Sequence, residues 1–525
     1  MTHRLPMMRS SDLVHWRFVG SALPGRPSWA SAQAKLWAPD VVYSSTYRRY
    51  YMTFAVTDTV PKTSGEPGCD QDPAIGVATS AKPTGPWRIA DSPVVRPVRL
   101  GPGCSFASTI DPDVLGQSVR TRSVLYAGGF RGGIRAAAVT LSRYGMKVSG
   151  AFHQITTARR YEGATVVARG GYYYLFVSSG SCCDGATSGY GVFAGRSTSP
   201  YGPFVDREGN ALSAARVGGT PVLVTNGNRW IGPGHNTVFR DFGGQWWTIY
   251  HAIDRDHPYF AKRPGFTKRS PMLDPIDWPG GWPSVRSGRG ASETSMPAPA
   301  AQPHQRSRYR PSPAPGLVLG APVPEDTDEF DGSALDARWS WVREPDVSSY
   351  SVGGGAFSLA TQDAGLSGTP KGSVLTETAP AGSFVAETAV HLDVPVTGVH
   401  DYVQAGLLVY GGDDRYVKLT HSSIGPSRVT ELGARYPAST FGTARSATST
   451  IGPPGDVTWL RLVVTVAGGH RFVSGWTSQD GADWVHGGTW RHDDLGDDVR
   501  IGLVALGGAG YTATFDHVRV WKLGG

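Results

Sequence analysis

A chain of 525 residues is too long for one ordinary hydrophobic core, so we expect two or three domains. Its 69 glycines, 39 prolines and 16 tryptophans accompany short alternating runs bounded by turn residues, without long helical periodicity, which indicates an all-β protein. Much of the net charge of +7 lies in a proline-rich stretch without interleaved aromatic residues, so we expect no nucleic-acid partner. No apolar run is long enough to span a membrane.

Two kinds of segment alternate over the first part of the chain. Aromatic strands are predicted at Tyr47–Val56, Ser123–Phe130, Gly171–Ser178 and Gly244–Ile253. Polar turns that end in an aromatic residue are found at Ser10–Trp16, Ser80–Trp87 and Ser197–Phe204. The strands start at 47, 123, 171 and 244, at intervals of 76, 48 and 73 residues, which suit four-stranded blades and predict a β-propeller. The alternative is an irregular sandwich with aromatic strands that recur by chance.

The first blade is predicted to be incomplete. The first polar turn, Ser10–Trp16, has no aromatic strand before it, although the order of the repeat requires one. We therefore expect a five-bladed propeller whose first strand or two would precede Met1.

The second half of the chain has a different pattern. Proline, alanine, serine and arginine dominate 284–324, which predicts a disordered linker. Strands then recur about every ten residues, which favours a β-sandwich; they are predicted at Phe357–Leu359, Phe384–Leu392, Ala405–Val409, Tyr416–Leu419, Trp459–Val466, Val499–Ala505 and Ala513–Trp521. We expect a propeller over 1–285, a linker over 286–324 and a sandwich over 325–525.

The four cysteines fit no zinc-binding spacing. Their even number is compatible with export and with a Cys69–Cys104 disulfide. Cys182 and Cys183 are adjacent, so they form either a vicinal disulfide or two buried thiols. The first residues contain no hydrophobic signal region, so we expect a secreted protein whose signal peptide is not in this chain.

A hairpin at Tyr161–Gly180 carries the first candidate catalytic residue. Its two β-rich runs flank the turn Gly170-Gly171. Glu162 stands at the mouth of the hairpin beside Gly163 and Ala164, small residues that allow a ligand to approach. Glu162 is thus a candidate general acid, and the alternative is a solvated turn glutamate.

Three polar residues take similar places in different predicted blades: Asp111, Glu162 and His235. The innermost strand of each blade lines the central cavity, so these residues can meet at the axis. Two carboxylates in a partly dry pocket cannot both ionise easily, and glycoside hydrolysis uses such a pair. Taken singly, Asp111 also suits an Asp-Pro turn and His235 a hydrogen-bonded core histidine.

The motifs of the propeller region resemble glycoside hydrolase family 43, the arabinanases, arabinofuranosidases and β-xylosidases with five-bladed propellers. The resemblance is carried by SSDLVHW (10–16), LWAPD (36–40), STIDP (108–112), GGFRGGI (128–134), YEGATVV (161–167), YYYLFVSSGSCC (172–183), GPGHN (232–236) and LDPIDWPGGWP (273–283). It is greatest to the arabinan-directed branch of the family.

The resemblance implies an inverting mechanism with three acids. Glu162 matches the general acid, and Asp111 matches the aspartate that orients the acid and modulates its pKa. The general base would be an aspartate on the first strand of blade one, which is not in this sequence. Asp12 and Asp40 lie in motifs that look structural in the family, so we do not assign either as the base.

Further residues receive roles by the same resemblance. Trp37 matches an aromatic platform for sugar, and Phe130 is a second candidate substrate-binding residue. His235 matches a histidine that contacts a bound calcium ion or its water shell, so we expect a calcium ion at the axis.

The C-terminal region resembles the concanavalin-like sandwich that follows the propeller in family 43 β-xylosidases. The carrying residues are Glu329–Gly332, Leu335–Trp339, Gln404–Val409 and Phe515–Val520. This domain either binds polysaccharide through tryptophans such as Trp476 or Trp484, or packs on the propeller. We expect a monomeric hydrolase of plant arabinan or arabinoxylan; the alternatives are a β-xylosidase and a non-catalytic carbohydrate-binding propeller.

Overall fold

The computed structural model describes residues 4–116, 123–396 and 398–524, and its regular structure is almost entirely β-strand. The described α-helices are two single turns, α1 (Pro61–Ser64) and α2 (Ala438–Phe441). Short 3-10 segments lie at Gly185–Thr187, Pro279–Gly281, Arg286–Gly288, Pro324–Asp326, Val347–Ser349 and Asp493–Leu495. None of the described helices is long and apolar enough to cross a membrane.

Five successive antiparallel sheets form the propeller. Blade one has two strands within the described residues, β1 (Pro6–Arg9) and β2 (Arg17–Ser21). Blade two has β3 (Leu36–Ser44), β4 (Arg49–Val56), β5 (Ala74–Ser80) and β6 (Arg88–Ile89). Blade three has β7 (Asp113–Leu115), β8 (Ser123–Gly129), β9 (Gly133–Ser142), β10 (Gly145–Val148) and β11 (His153–Gln154).

The last two blades are regular. Blade four has β12 (Glu162–Arg169), β13 (Tyr172–Ser179), β14 (Gly191–Ser197) and β15 (Thr220–Leu223). Blade five has β16 (Trp230–Arg240), β17 (Trp246–Asp254), β20 (Arg269–Asp277) and β21 (Ser284–Val285), with a hairpin of β18 (Tyr259–Phe260) and β19 (Arg263–Thr267) inserted before β20. The innermost strands β3, β7, β12 and β16 contact one another in that order.

The predicted aromatic strands are confirmed as β4, β8, β13 and β17, the second strand of each of blades two to five. Their large side chains fill the layers between blades. Tyr51 lies in the layer between blades two and three, Tyr126 in the next layer, and Tyr174 between blades four and five. The aromatic repeat is therefore the sequence signature of blade-on-blade packing.

Blade one leaves an apolar cleft, which we call the blade-one cleft. It has a volume of about 570 Å³ and lies between the blade-one side chains Met8 and Trp16 and the blade-five side chains Ile249 and Met272. On the inner strand β3, every second side chain is exposed, including Tyr43 at 53%. Apolar strand faces of this kind are normally covered by a neighbouring strand.

One polar turn occurs in both domains. In blade one, Asp12 Oδ1 accepts hydrogen bonds from the backbone N–H groups of Val14 (2.9 Å) and His15 (2.8 Å). In the second domain, Asp480 Oδ1 accepts from Ala482 (2.8 Å) and Asp483 (2.9 Å). The tryptophan that ends each turn, Trp16 or Trp484, donates its indole N–H to a carbonyl three residues earlier, at 3.1 Å in both cases.

The predicted disorder of 284–324 is wrong. Tyr309 is buried, and its hydroxyl donates to Asp277 Oδ2 at 2.8 Å. The backbone N–H of Ala300, which is also buried, donates to Asp241 Oδ2 at 2.9 Å. The segment is too polar to form a core of its own, but it is fixed because blade-five carboxylates satisfy its backbone and side-chain donors.

The second domain is the predicted β-sandwich of concanavalin-like type. Its strands are β22 (Leu319–Pro322), β23 (Ser340–Val342), β24 (Tyr350–Val352), β25 (Phe357–Ala360), β26 (Val374–Thr378), β27 (Phe384–Leu392), β28 (Gln404–Gly412), β29 (Arg415–Ile424), β30 (Ser427–Tyr436), β31 (Arg445–Thr450), β32 (Val457–Ala467), β33 (His470–Ser478), β34 (Val485–Arg491), β35 (Arg500–Leu506) and β36 (Thr512–Leu523). One sheet has the order β24-β25-β36-β27-β32-β33-β34, with β22 on β36. The other has the order β23-β26-β35-β28-β29-β30-β31. Their facing sides enclose one large apolar core.

The sandwich packs on blades four and five through its edges. Backbone bridges join Arg216 to Arg428 and Asn226 to Thr489 in parallel fashion, so propeller segments extend the sheets of the sandwich. Val429 of the sandwich belongs to the apolar layer between blades three and four. At Gly189 a side chain would overlap the carbonyl of Thr448. The two domains are thus joined by backbone and core contacts.

The two tryptophans proposed as a sugar-binding surface are engaged within the sandwich. Trp476 stacks on His486 with a centroid distance of 4.5 Å. Trp484 lies beneath the guanidinium of Arg461, 3.7 Å from the ring centroid. Each ring therefore packs against a polar partner on its own sheet.

Candidate active site

A four-residue motif recurs at the top of the four described inner strands. It reads Trp37-Ala38-Pro39-Asp40, Ile110-Asp111-Pro112-Asp113, Glu162-Gly163-Ala164-Thr165 and Gly234-His235-Asn236-Thr237 in blades two to five. The second residue of each copy has a left-handed backbone, with φ of 44°, 52°, 63° and 47° respectively. In blades two, four and five the strand register shifts across the motif, as in a β-bulge.

The second motif residues of blades three, four and five meet. The Gly163 N–H donates to Asp111 Oδ2 at 3.2 Å. A Cβ on Gly163 would lie 3.4 Å from Cγ and Nδ1 of His235, so the imidazole packs directly against this glycine. The left-handed backbone at position 163 favours glycine, and a Cβ there would be in van der Waals contact with the imidazole. Asp111, Glu162 and His235 are therefore brought to one place, as the propeller hypothesis requires.

Glu162 is half-buried and held by a tyrosine. The Tyr190 hydroxyl donates to Glu162 Oε1 at 2.7 Å, which leaves Oε2 free of this bond. Tyr190 is buried, and a side chain on Gly234 would overlap its ring. Burial raises the pKa of Tyr190 well above its ordinary value, and the carboxylates of Glu162 and Asp111 add to this. Tyr190 therefore stays protonated and acts as a donor to Glu162.

Asp111 is 6% exposed. Burial, with a smaller contribution from Glu162, raises the pKa of its carboxyl to about 6, against the opposing effects of His235 and Arg269. The Asp111 carboxyl therefore keeps its proton up to mildly acidic pH.

The sequence patterns missed three residues of this site: Tyr190, His251 and Arg269. His251 stacks on Tyr190 with a centroid distance of 5.6 Å and an interplanar angle of 11°. Burial, with smaller contributions from Arg269 and His235, lowers the pKa of His251 to about 3, so the imidazole is neutral. Neither ring nitrogen of His251 has a hydrogen-bond partner among the residues described. His251 reaches this site because it pairs with Gly234 across β16 and β17, a register that the sequence patterns did not reveal.

The fourth motif residue holds neighbouring blades together. Asp40 Oδ2 accepts from the Val114 N–H of blade three at 2.9 Å. Asp113 Oδ2 accepts from the Val166 N–H of blade four at 3.1 Å. Both motif aspartates accept a backbone N–H of the next blade, which is a structural contact between blades.

The predicted aromatic residues lie on the same side of the propeller as the acids. Trp37 immediately precedes the left-handed residue of blade two and is 45% exposed. Phe130 follows β8 and is 47% exposed.

Disulfides join Cys69 to Cys104 and Cys182 to Cys183, so the alternative of two buried thiols is wrong.

The described residues do not provide a protein cage for calcium. Among them, no group of three or more His, Cys, Asp or Glu side chains is arranged to hold a metal ion. His235 is held instead by its backbone, whose N–H donates to Ser178 Oγ at 2.8 Å. Because Ca²⁺ takes six to eight oxygen ligands, an ion at the axis would need mostly water ligands.

A propeller with a hub of paired carboxyl groups, a neutral histidine and half-exposed aromatic rings defines a carbohydrate-cleaving enzyme. The sequence model of Glycosyl hydrolases family 43 matches residues 1–283, and the chain belongs to this family. It is a glycosidase that hydrolyses O-glycosyl compounds. The model of the Beta xylosidase C-terminal Concanavalin A-like domain matches residues 327–520. Both predicted resemblances are confirmed.

Several known proteins are similar to the propeller part. Extracellular endo-alpha-(1->5)-L-arabinanase 1 of Bacillus subtilis is 28% identical over 290 residues, which cover 53% of this chain and 79% of the relative. Arabinan endo-1,5-alpha-L-arabinosidase A of Aspergillus aculeatus is 32% identical over 283 residues, with coverage of 51% and 79%.

Among solved structures, that of Cellvibrio cellulosa alpha-L-arabinanase is 23% identical with a TM-score of 0.44, and covers 53% of this chain and 88% of its own. Xylan beta-1,4-xylosidase from Bacillus halodurans C-125 is 18% identical with a TM-score of 0.40, and covers 98% of this chain and 93% of its own.

The raised pKa of Asp111 predicts a pH-dependent effect of the substitution Asp111→Asn on stability. Between the ordinary pKa of 3.8 and about 6, the folded state keeps a proton that the unfolded state releases, so this group lowers stability as pH rises. Relative to wild type, Asp111→Asn should therefore gain roughly 2–3 kcal/mol in unfolding free energy between pH 4 and pH 7. Urea unfolding at several pH values measures this difference.

The exposed Asp363 supplies the control for that titration. The variant Asp363→Asn should differ from wild type by the same amount at every pH. If the difference in unfolding free energy between Asp111→Asn and wild type is also independent of pH, a raised pKa at Asp111 is contradicted.

Proposed function

We propose that this chain is a hydrolase of arabinan or arabinoxylan that acts with inversion, with Glu162 as general acid and Asp111 as the residue that orients it. The observation that carries the proposal is the hydrogen bond from Gly163 N–H to Asp111 Oδ2, which links Asp111 to the residue next to Glu162. The arabinan specificity is supported by the relatives, which are named as arabinanases.

The distribution of bonds favours this division of roles. Asp111 is buried and its carboxylate is engaged by backbone, so it is poorly placed to attack a sugar. Glu162 is half-buried and uses one oxygen for Tyr190, so its other oxygen can face the glycosidic oxygen. Trp37 and Phe130 offer exposed rings on which a sugar can stack.

The water-activating base is proposed to be a carboxylate on a further inner strand beside the blade-one cleft. The described inner strands place Asp111, Gly163 and His235 around the axis at one motif position, and Ala38 holds that position in blade two. A fifth inner strand, packed against the exposed face of β3, would place its own second motif residue beside them. Inversion requires a carboxylate about 6.5–9.5 Å from the acid, on the opposite face of the sugar.

The proposal also covers the location of the protein and a bound metal ion. The two disulfides and relatives named as extracellular support a location outside the cell. A calcium ion held through water near His235 is also proposed, although no catalytic step depends on it.

A second candidate is β-xylosidase activity. It is favoured by the match of residues 327–520 to a C-terminal domain named for β-xylosidases. Parallel assays on arabinan, arabinoxylan and xylan oligosaccharides distinguish the two candidates.

The variant Glu162→Gln should lower kcat/KM on arabino-oligosaccharides by about 10²–10⁴-fold, because it removes the proton donor to the leaving group. A dinitrophenyl arabinofuranoside has a leaving group that needs no proton, so on this substrate the loss should be much smaller. Steady-state kinetics on both substrates measure the effect. The exposed Glu325 gives the control Glu325→Gln, which should match wild type. Equal losses on the two substrates would contradict the general-acid role.

The base proposal predicts that a small carboxylate can act where the described residues provide no base at the hub. Molar formate should raise kcat/KM on the order of tenfold or more over chloride at equal ionic strength, by entering the hub and activating water. Glu162→Gln should show no such gain on oligosaccharides. Full activity in chloride without any response to formate would contradict the proposal. Sugar binding without hydrolysis in either salt would instead support a non-catalytic propeller.

A further inference from the structure

Two cavities meet where the sandwich covers blades three and four. The first has a volume of about 360 Å³ and lies between propeller residues that include Phe130, Arg160 and Ser179 and sandwich residues that include Glu431. The second has a volume of about 410 Å³ and lies on the outer face of the sandwich sheet, beside Gln404 and Lys418. Tyr402, Ser446 and Thr448 line both cavities, so the two adjoin. We call the combined space the inter-domain groove.

Chain neighbours of Glu162 and of its strand partner Ser178 line the groove. Arg160 stands two residues before Glu162, a span of at most about 7 Å along an extended chain. Ser179 follows Ser178, the residue that pairs with Glu162 across β12 and β13. Phe130, already a candidate sugar-binding residue, lines the same cavity. A chain bound at Glu162 could therefore continue into the groove.

The chemistry of the groove suits a neutral sugar. Hydroxyl groups of Ser446 and Thr448, the amide of Gln404 and the half-exposed ring of Tyr402 are the groups that recognise polyhydroxylated ligands. The charges are matched within the protein. Arg159 forms an ion pair with Asp401, in which Nη1 and Oδ1 are 3.1 Å apart. Lys418 contacts the Gln404 carbonyl oxygen, and the buried Glu431 faces both Lys418 and Arg160. The Arg160 guanidinium packs over the ring of Tyr161, 5.0 Å from the centroid, and its charge is offset by Glu431, although its three nitrogens have no hydrogen-bond partner among the described residues.

The walls of the groove are held in place before any ligand binds. Ser179 Oγ and Thr450 Oγ1 are 3.3 Å apart across the domain boundary. The Gly425 N–H donates to Asp401 Oδ1 at 2.5 Å, which anchors the sandwich turn beside Arg159. A preorganised site avoids the entropy cost of ordering its walls upon binding.

We propose that the inter-domain groove binds the part of a neutral polysaccharide that extends beyond the bond cleaved at Glu162. The sandwich is then part of the substrate-binding surface, and its contact with the propeller sets the path of the polymer. This inference rests on the proposed function, because the ligand class is that of the substrate.

Tyr402→Ala and Ser446→Trp test the groove by removing a stacking surface and by obstructing the space. Tyr402 is 52% exposed, and Ser446 is exposed on the edge strand β31. Each variant should weaken binding of soluble arabinan or arabinoxylan roughly three- to tenfold in affinity electrophoresis. Binding of a disaccharide, measured by calorimetry, should stay unchanged because it does not reach the groove.

Matched controls lie far from the groove. Tyr144→Ala removes a ring that is 69% exposed in the β9–β10 turn, and Ser351→Trp alters an exposed serine on the edge strand β24. Both should bind polymer like wild type. Thermal melting of all variants identifies any that fail to fold. If one groove variant is unfolded, the polymer binding of the other tests the proposal.

The outcomes separate the groove from the proposed function. Polymer binding by wild type that neither groove variant weakens would overturn the groove alone. Equal weakening of disaccharide and polymer would also overturn it, since the residues would then serve the central site. Absence of binding by wild type to every arabinan, arabinoxylan and xylan tested would overturn the proposed function and the groove with it.

Discussion

The structure depends on the left-handed residue at the top of each described inner strand. This backbone conformation is uncommon outside glycine, yet alanine, aspartate and histidine adopt it here in blades two, three and five. It accompanies a local departure from the strand register, and it brings residues from blades three, four and five into contact at the axis. Gly163 and Gly234 provide the space into which His235 and Tyr190 pack. The proximity of Asp111 and Glu162 thus follows from a backbone conformation that recurs in each of blades two to five.

Within the four-residue motif, the second position contributes to the candidate site and the fourth position joins neighbouring blades. The second position faces the hub, where Asp111 and His235 lie beside Glu162. The fourth position carries Asp40 and Asp113, which accept backbone N–H groups of the next blade. An aspartate two residues from a candidate catalytic one can therefore have a structural role. The sandwich adds a second constraint, because backbone bridges join it to the segments that flank β15 of blade four.

The sequence patterns predicted the features that recur in each blade and missed the contacts that depend on how the strands pair. Aromatic strands and motifs such as STIDP were sufficient for the propeller, because each blade buries similar side chains in similar places. Tyr190 and His251 could not be predicted, since their proximity to Glu162 arises from strand register and from glycines that admit their rings. The order of 284–324 was also missed, because composition indicates the lack of a core but does not indicate that Asp241 and Asp277 would bind the segment. The charged residues of the domain boundary, such as the buried Arg428, show no periodic signal.

The central claim is that Glu162, held by Tyr190 and placed beside Asp111, faces the glycosidic oxygen of a bound sugar. A crystal structure of the Glu162→Gln variant with an arabino-oligosaccharide tests it most directly. The account predicts electron density for sugar at the hub, with a glycosidic oxygen within hydrogen-bonding distance of the residue 162 amide and a sugar ring near Trp37 or Phe130. Sugar bound only elsewhere, with no contact to residue 162 although the site is open, would contradict it.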